Sequence, residues 1–188
     1  MDSGDITAGT LLIASPTLRD PNFARTVVLI CEHADAGSMG LVINRPTGTS
    51  VAAVLGEVAK LPPPTEILYR GGPVQPDILL VLHRLDAAIP GAQPIAAGIA
   101  LGGDMQVLVQ ALAGEHGPDE RVRVYAGYAG WGEGQLAAEM ATGSWFTCPA
   151  TARIVFDLDP EETWSTAIRN LGPEYEHLVT MPLDPRVN

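Results

Sequence analysis

The sequence predicts a single α+β domain, on two observations. Strand-like runs follow one another without a helix between each pair, which favours α+β over a doubly wound parallel sheet. No long polar linker interrupts the elements, so one domain is expected over residues 1–188, with tails at about 1–8 and 181–188. The 46% hydrophobic against 18% charged content is that of a globular chain able to bury a core. With 20 glycines and 16 prolines, that core should be built from short elements joined by many turns.

The elements follow in order. TLLIAS (10–15) reads as a short strand closed by Pro16. RTVVLICEH (25–33) is the clearest strand: β-branched, nearly continuously apolar, and so expected to be buried on both faces. The glycine-containing loop ADAGSM (34–39) joins it to GLVIN (40–44) as an antiparallel hairpin. Ser50 is placed to cap a helix over VAAVLGEVA (51–59), stopped by Pro62-Pro63-Pro64. ILY (67–69) and DILLVLH (77–83) are strand-like and flank a GGPV turn, whereas IAAGIAL (95–101) is ambiguous. Asp104 should cap a helix over MQVLVQALAGE (105–115), where Met105, Leu108, Val109 and Leu112 repeat at helical spacing. RVRVYAGY (121–128) alternates as a strand does, a helix is expected from Gln135 to Thr142, and RIVFDL (153–158) reads as a further strand. The last helix is the best punctuated, with Asp159 at the N-cap, Pro160 at the first helical position, Glu161 and Glu162 in the first turn, and Gly172 beyond its end.

Charge and cysteine usage narrow the function. A net charge of −11 opposes a broad nucleic-acid footprint, which draws its energy from clustered Lys and Arg. Direct nucleic-acid binding is therefore not expected, and the phosphate-loop pattern G-x-x-x-x-G-K-[ST] is absent. The first twenty residues carry no basic stretch, and Leu11 to Ala14 is too short an apolar run for a signal peptide or a membrane span. A cytoplasmic protein without membrane contact is expected. Cys31 and Cys148 suggest no disulfide framework, and His33, His83, His116 and His177 show no metal-ligand spacing. No metal and no cofactor are expected.

Three constellations remain. Gly132-Glu133-Gly134-Gln135-Leu136-Ala137 fits the short dinucleotide pattern G-x-G-x-x-A, with Asp157 about where a ribose-binding acid belongs. Glu133 inside the phosphate turn, the short helix that follows and the lack of repeated βα units all oppose it. A strand-to-helix joint anchored by Trp131 is the better reading. Cys31 and His33 lie two apart on a strand and so share a face, which would allow an activated thiol. A buried cysteine with a solvent-facing histidine is the simpler alternative. Asn44 and Arg45 could hold an anion, or could tie loops together, as could a bridge between Asp20 and Arg25.

Taken in order, LLIASP (11–16), DPNFARTVVLICEH (20–33), GSMGLVINRP (37–46), GGPV (71–74) and GYAGWGEGQLAAE (127–139), followed by Trp145, resemble the YqgE/AlgH family of bacterial proteins. The resemblance implies an α+β fold in which a bent, mostly antiparallel sheet curls into a partly closed barrel with helices packed outside. It implies the family's usual description, a transcriptional regulator, and brings no catalytic residues. Family-type polar and aromatic positions here include Asp20, Phe23, Arg25, His33, Asn44, Arg45, Trp131, Gln135 and Glu139. His33, Asn44, Arg45, Trp131, Gln135 and Glu139 are the ligand-binding candidates. The function expected is a non-enzymatic regulator acting through a protein partner or a small ligand. The alternative is an enzyme or thiol sensor built on Cys31, His33, Asn44 and Arg45.

Overall fold

A computed structural model describes residues 6–59, 67–86, 88–113, 117 and 119–182. Its strands are β1 (Thr10–Ala14), β2 (Val27–Ala34), β3 (Gly37–Val42), β4 (Pro46–Ser50), β5 (Ile67–Arg70), β6 (Val74–Arg84), β7 (Gln93–Ala96), β8 (Ile99–Leu101), β9 (Arg121–Gly132) and β10 (Trp145–Pro149). The helices are α1 (Val51–Ala59), α2 (Met105–Leu112), α3 (Gln135–Ala141), α4 (Pro160–Arg169) and α5 (Glu176–Val179). The main path through the sheet runs β10-β1-β2-β3-β9-β6-β8-β7, and β4 with β5 joins at β9. Every described pairing is antiparallel except β5 with β9. This is the expected α+β fold with a curled, partly closed sheet.

The curl is made on β9. Its first half lies between β5 and β6, and its second half pairs with β3. The change comes at Gly127, whose φ of +68° suits glycine and whose missing Cβ would stand 2.7 Å from the Gly72 carbonyl oxygen. Opposite it, the β6 register jumps from Val74↔Tyr128 to Leu79↔Ala126, so residues 75–78 face Gly127 alone. That wide bulge, with Gln75 at φ +47°, bends β6 away from the ladder.

Continuous apolar runs produce burial on both faces of β1 and β2. Leu11, Ile13 and Leu29 enter one cluster with Leu82, Tyr125 and the α4 residues Trp164, Ala167 and Ile168. Leu12, Ala14, Val28 and Ile30 enter another with Trp131, Leu136 of α3 and Trp145. Each fully buried Leu or Ile is worth ~1.5–3 kcal/mol relative to exposure. Together these faces fix the position of the β2–β3 hairpin. A third cluster packs Val51 of α1 and Leu108, Ala111 and Leu112 of α2 on Val81, Val122 and Val124.

Most elements match the expected order, and the hairpin is tighter than its loop suggested: only Asp35 and Ala36 separate the strands. Asp104 caps α2 by accepting from the Gln106 and Val107 N–H groups, and Asp159 caps α4 at Glu161. The ambiguous 95–101 stretch is the β7–β8 hairpin. RIVFDL is not a strand: Arg153–Asp157 forms one π-helical turn with Ile154, Val155 and Phe156 buried. Its Val155 and Phe156 carbonyls accept from the Arg123 guanidinium at 2.8 and 2.9 Å, rather than from a neighbouring strand. Its β-branched composition reports burial, not sheet pairing. Within the expected first tail, Ile6 packs on the second cluster, while residues 1–5 and 183–188 lie outside the described residues.

Candidate functional site

The β2–β3 register slips between Ile30↔Gly40 and Glu32↔Met39. This bulge breaks the alternation that would have put Cys31 and His33 side by side. Cys31 stays with Leu29 in the core, Glu32 takes the position opposite Met39, and His33 pairs with Ser38. The His33 ring Nδ1 lies 2.7 Å from Ser38 Oγ, on an exposed strand end. Cys31 Sγ donates to the Leu29 carbonyl at 3.6 Å. Burial first, and then the Glu32 charge, push its thiol up to about 12. At neutral pH the thiol stays protonated, and it is fully buried. Native protein at pH 7.5 should therefore react with iodoacetamide at Cys31 only on unfolding. A native rate within tenfold of free cysteine, followed by mass spectrometry of the peptide, would contradict this placement.

Asn44 and Arg45 hold the 20–26 loop. Asn44, 9% exposed, accepts the Val27 N–H at 2.9 Å through Oδ1 and donates to the Arg25 carbonyl at 3.0 Å through Nδ2. Arg45 Nη2 donates to the Ala24 carbonyl at 2.7 Å. No Asp20–Arg25 bridge forms; Asp20 Oδ1 accepts the Asn22 N–H within its own turn. Arg25, at φ +56°, instead sets its guanidinium 4.1 Å from the Trp164 ring centre and donates to the Val179 and Met181 carbonyls. The loop and the C-terminal helices are thereby tied together.

Trp131, Gln135 and Glu139 do come together. Glu139 Oε2 accepts the indole N–H of Trp131 at 3.0 Å and of Trp145 at 2.8 Å, while Oε1 accepts from Gln135 at 3.0 Å. Gln135 Oε1 in turn accepts the Gly132 N–H. Phe23 stacks on Trp131 and meets Trp145 edge-on, at centroid distances of 6.1 and 5.6 Å. The GWGEGQL stretch is thus a joint sealed by one carboxylate. Its Gly132 N–H is already occupied, and Asp157 is committed to a two-pronged pair with Arg84.

Beside this joint lies an open groove of about 770 Å³. Glu32, His33 and Met39 of the hairpin form one side, and Ile78 and Leu80 of β6 the other, with Tyr128 between them. The β6 bulge leaves Ile78 44% exposed there. Of the candidate residues, His33 and Trp131 line this groove; Asn44, Arg45, Gln135 and Glu139 do not. The sequence did not single out Ile78, Leu80 or Tyr128, since each looks like an ordinary strand residue. Chemically, the groove presents apolar surface with an imidazole and a carboxylate at one rim. Such a surface suits recognition of an apolar group bearing a polar end. Among the described residues, no cluster of His, Cys, Asp and Glu is arranged to hold a metal ion.

Comparison with known proteins places this architecture. The AlgH-like family model matches residues 11–176. A UPF0301 protein of Chlorobaculum tepidum is 39% identical over 180 residues, covering 96% of this chain and 95% of the relative. One from Pseudomonas aeruginosa is 43% identical over 166 residues, covering 86% of each. The solution structure of the AlgH protein from Pseudomonas aeruginosa superposes with a TM-score of 0.74 at 38% identity, over 97% of both chains. A crystal structure of a Corynebacterium diphtheriae protein, at 24% identity and TM-score 0.77, covers 96% of this chain and 95% of that one and shares the fold. The chain belongs to the AlgH-like family.

Proposed function

We propose that this chain is a non-enzymatic cytoplasmic regulator that engages a protein partner by taking an apolar segment into the groove between the β2–β3 hairpin and the β6 bulge. The observation that carries this reading is Ile78, held out by the bulge at 44% exposure beside Leu80, Met39 and Tyr128. Partner sites are built around such apolar anchors with a polar rim. The volume, about 770 Å³, is ample for several side chains.

Two further observations favour binding over chemistry. Cys31 is removed from His33 by the bulge, and Asn44 and Glu139 spend their polar atoms on internal bonds. Direct DNA binding is disfavoured by the net charge of −11. No described helix is long and apolar enough to cross a membrane.

The test is an amide NMR spectrum of the labelled protein titrated with cell extract split by size. Selective broadening at Ile78, Leu80 and Tyr128 by the macromolecular fraction alone is expected. Shifts there from the small-molecule fraction alone would replace the protein partner with a metabolite. An unperturbed groove in both would overturn the reading.

A further inference from the structure

On the other side of the Gly72–Ile78 segment, two cavities of about 30 and 420 Å³ meet at Asn22, Arg70, Gly72 and Pro73. Arg45 lines the smaller, and among the described residues no carboxylate lines either one. In a chain of net charge −11, two arginines facing one carboxylate-free space are out of keeping with the surface around them.

The backbone brings the two together. Arg70 N–H donates to the Arg45 carbonyl at 2.8 Å, beside the Pro46↔Tyr69 pair that joins β4 to β5. Gly71 and Gly72 then press directly on β9: an added Cβ would stand 2.2 Å from the Gly127 oxygen and 2.1 Å from the Tyr128 carbonyl carbon. That contact fixes the wall at Gly72 and keeps that one stretch free of a side chain.

The donors differ in how they are used. Arg45 spends Nη2 on the Ala24 carbonyl, which anchors its guanidinium, and its other N–H groups bond no other described side chain or carbonyl. The Arg70 side chain is exposed and, among the described residues, has neither a hydrogen bond nor an ion pair. Among the described residues the Asn22 side-chain amide is likewise without a hydrogen bond, its turn being held by the Asp20 carboxylate through the backbone. Thr47 offers no donor, because its hydroxyl is given to the Leu68 carbonyl. What lines the space is two guanidinium groups, which can only donate, and one amide whose NH2 can donate beside them.

We propose that this cavity binds the phosphoryl group of a small phosphorylated metabolite, with Arg45 and Arg70 gripping its oxygens and Asn22 donating a further hydrogen bond. Two guanidinium forks match the charge and three-fold oxygen array of a phosphate monoester better than the two oxygens of a carboxylate. The larger space, about 420 Å³, leaves room for the organic remainder. This site shares no lining residue with the groove and stands independently of the partner reading.

Inorganic phosphate is the probe. The full chain, isotope-labelled, is titrated at constant ionic strength alongside Arg70→Gln and Arg70→Lys variants, with thermal unfolding of each. Saturable shifts at the amides of Asn22, Arg70 and Gly72 are expected, weakened at least tenfold in Arg70→Gln and less in Arg70→Lys. The unfolding midpoints should match, because the exposed Arg70 side chain bonds no other described residue. The proposal is overturned if those amides show no saturable shift, or if Arg70→Gln binds phosphate as tightly as the parent.

Discussion

Replacing Asn44 with leucine should destabilise the protein by about 2–4 kcal/mol, read as a lower urea midpoint with an unchanged slope. The amide bridges two backbone groups, the Val27 N–H and the Arg25 carbonyl, and Val27 is fully buried. Leucine fills similar volume but leaves both groups unpaired, and an orphaned buried group costs about 1–3 kcal/mol. Asn44→Asp tests the direction of the bonds. It keeps an acceptor for Val27 and sets a carboxylate oxygen against the Arg25 carbonyl, so it should also destabilise. Either variant retaining parental stability would show that Asn44 is free for another role.

Glu139→Ala should cost more, about 3–5 kcal/mol. One carboxylate accepts two indole N–H groups and the Gln135 amide, and hydrogen bonds to charged groups are worth about 1.5–3 kcal/mol each. Trp131 and Trp145 are nearly buried, so their N–H groups lack ready access to water once the acceptor is gone. The Phe23 contacts, stacked on Trp131 and edge-on to Trp145, should loosen with them, giving a red-shifted tryptophan emission and a weaker near-ultraviolet circular dichroism signal. Glu139→Gln keeps one acceptor oxygen in place of two, so it should fall between the parent and alanine. Parental stability in Glu139→Ala would mean that the carboxylate is not the seal of the joint.

These two residues illustrate what the sequence made legible. The antiparallel hairpin, the capped α2 and α4, and Trp131 as the anchor of the glycine-rich joint could all be read from local pattern. The hairpin and the caps rest on interactions only a few residues apart in the chain, whereas Trp131 was marked by the glycines around it and also packs on the distant Phe23. Two strands escaped notice for different reasons. PTGTS, now β4, is polar and exposed along most of its length, so it carries no apolar alternation. Trp145–Pro149, now β10, is an edge strand ended by proline and earns its place by pairing with β1, far away in the chain. The π-helical turn at 153–157 was misread because its apolar residues pack under Arg123 without joining a ladder.

The site was less legible than the fold. A one-residue bulge decides whether Cys31 meets His33, and simple alternation cannot reveal it. Ile78 is marked only by a second bulge opposite Gly127, and Arg70 only by what fails to pair with it. Sequence reading found polar residues that matter, but several of them hold the scaffold. The surfaces that remain open are contributed by residues with no motif of their own.

The groove is tested most directly by a photo-crosslinking residue placed at position 78 and, for comparison, at position 54. Val54 on α1 is a matched apolar control, at 47% exposure against 44% for Ile78, and it lies outside the groove. Irradiation in living cells should give one discrete protein adduct from position 78 and none from position 54. That adduct should disappear when Leu80→Asp is added to a protein that still unfolds cooperatively. Equal adducts from both positions, or an adduct from 78 that survives Leu80→Asp, would contradict the groove as the partner site.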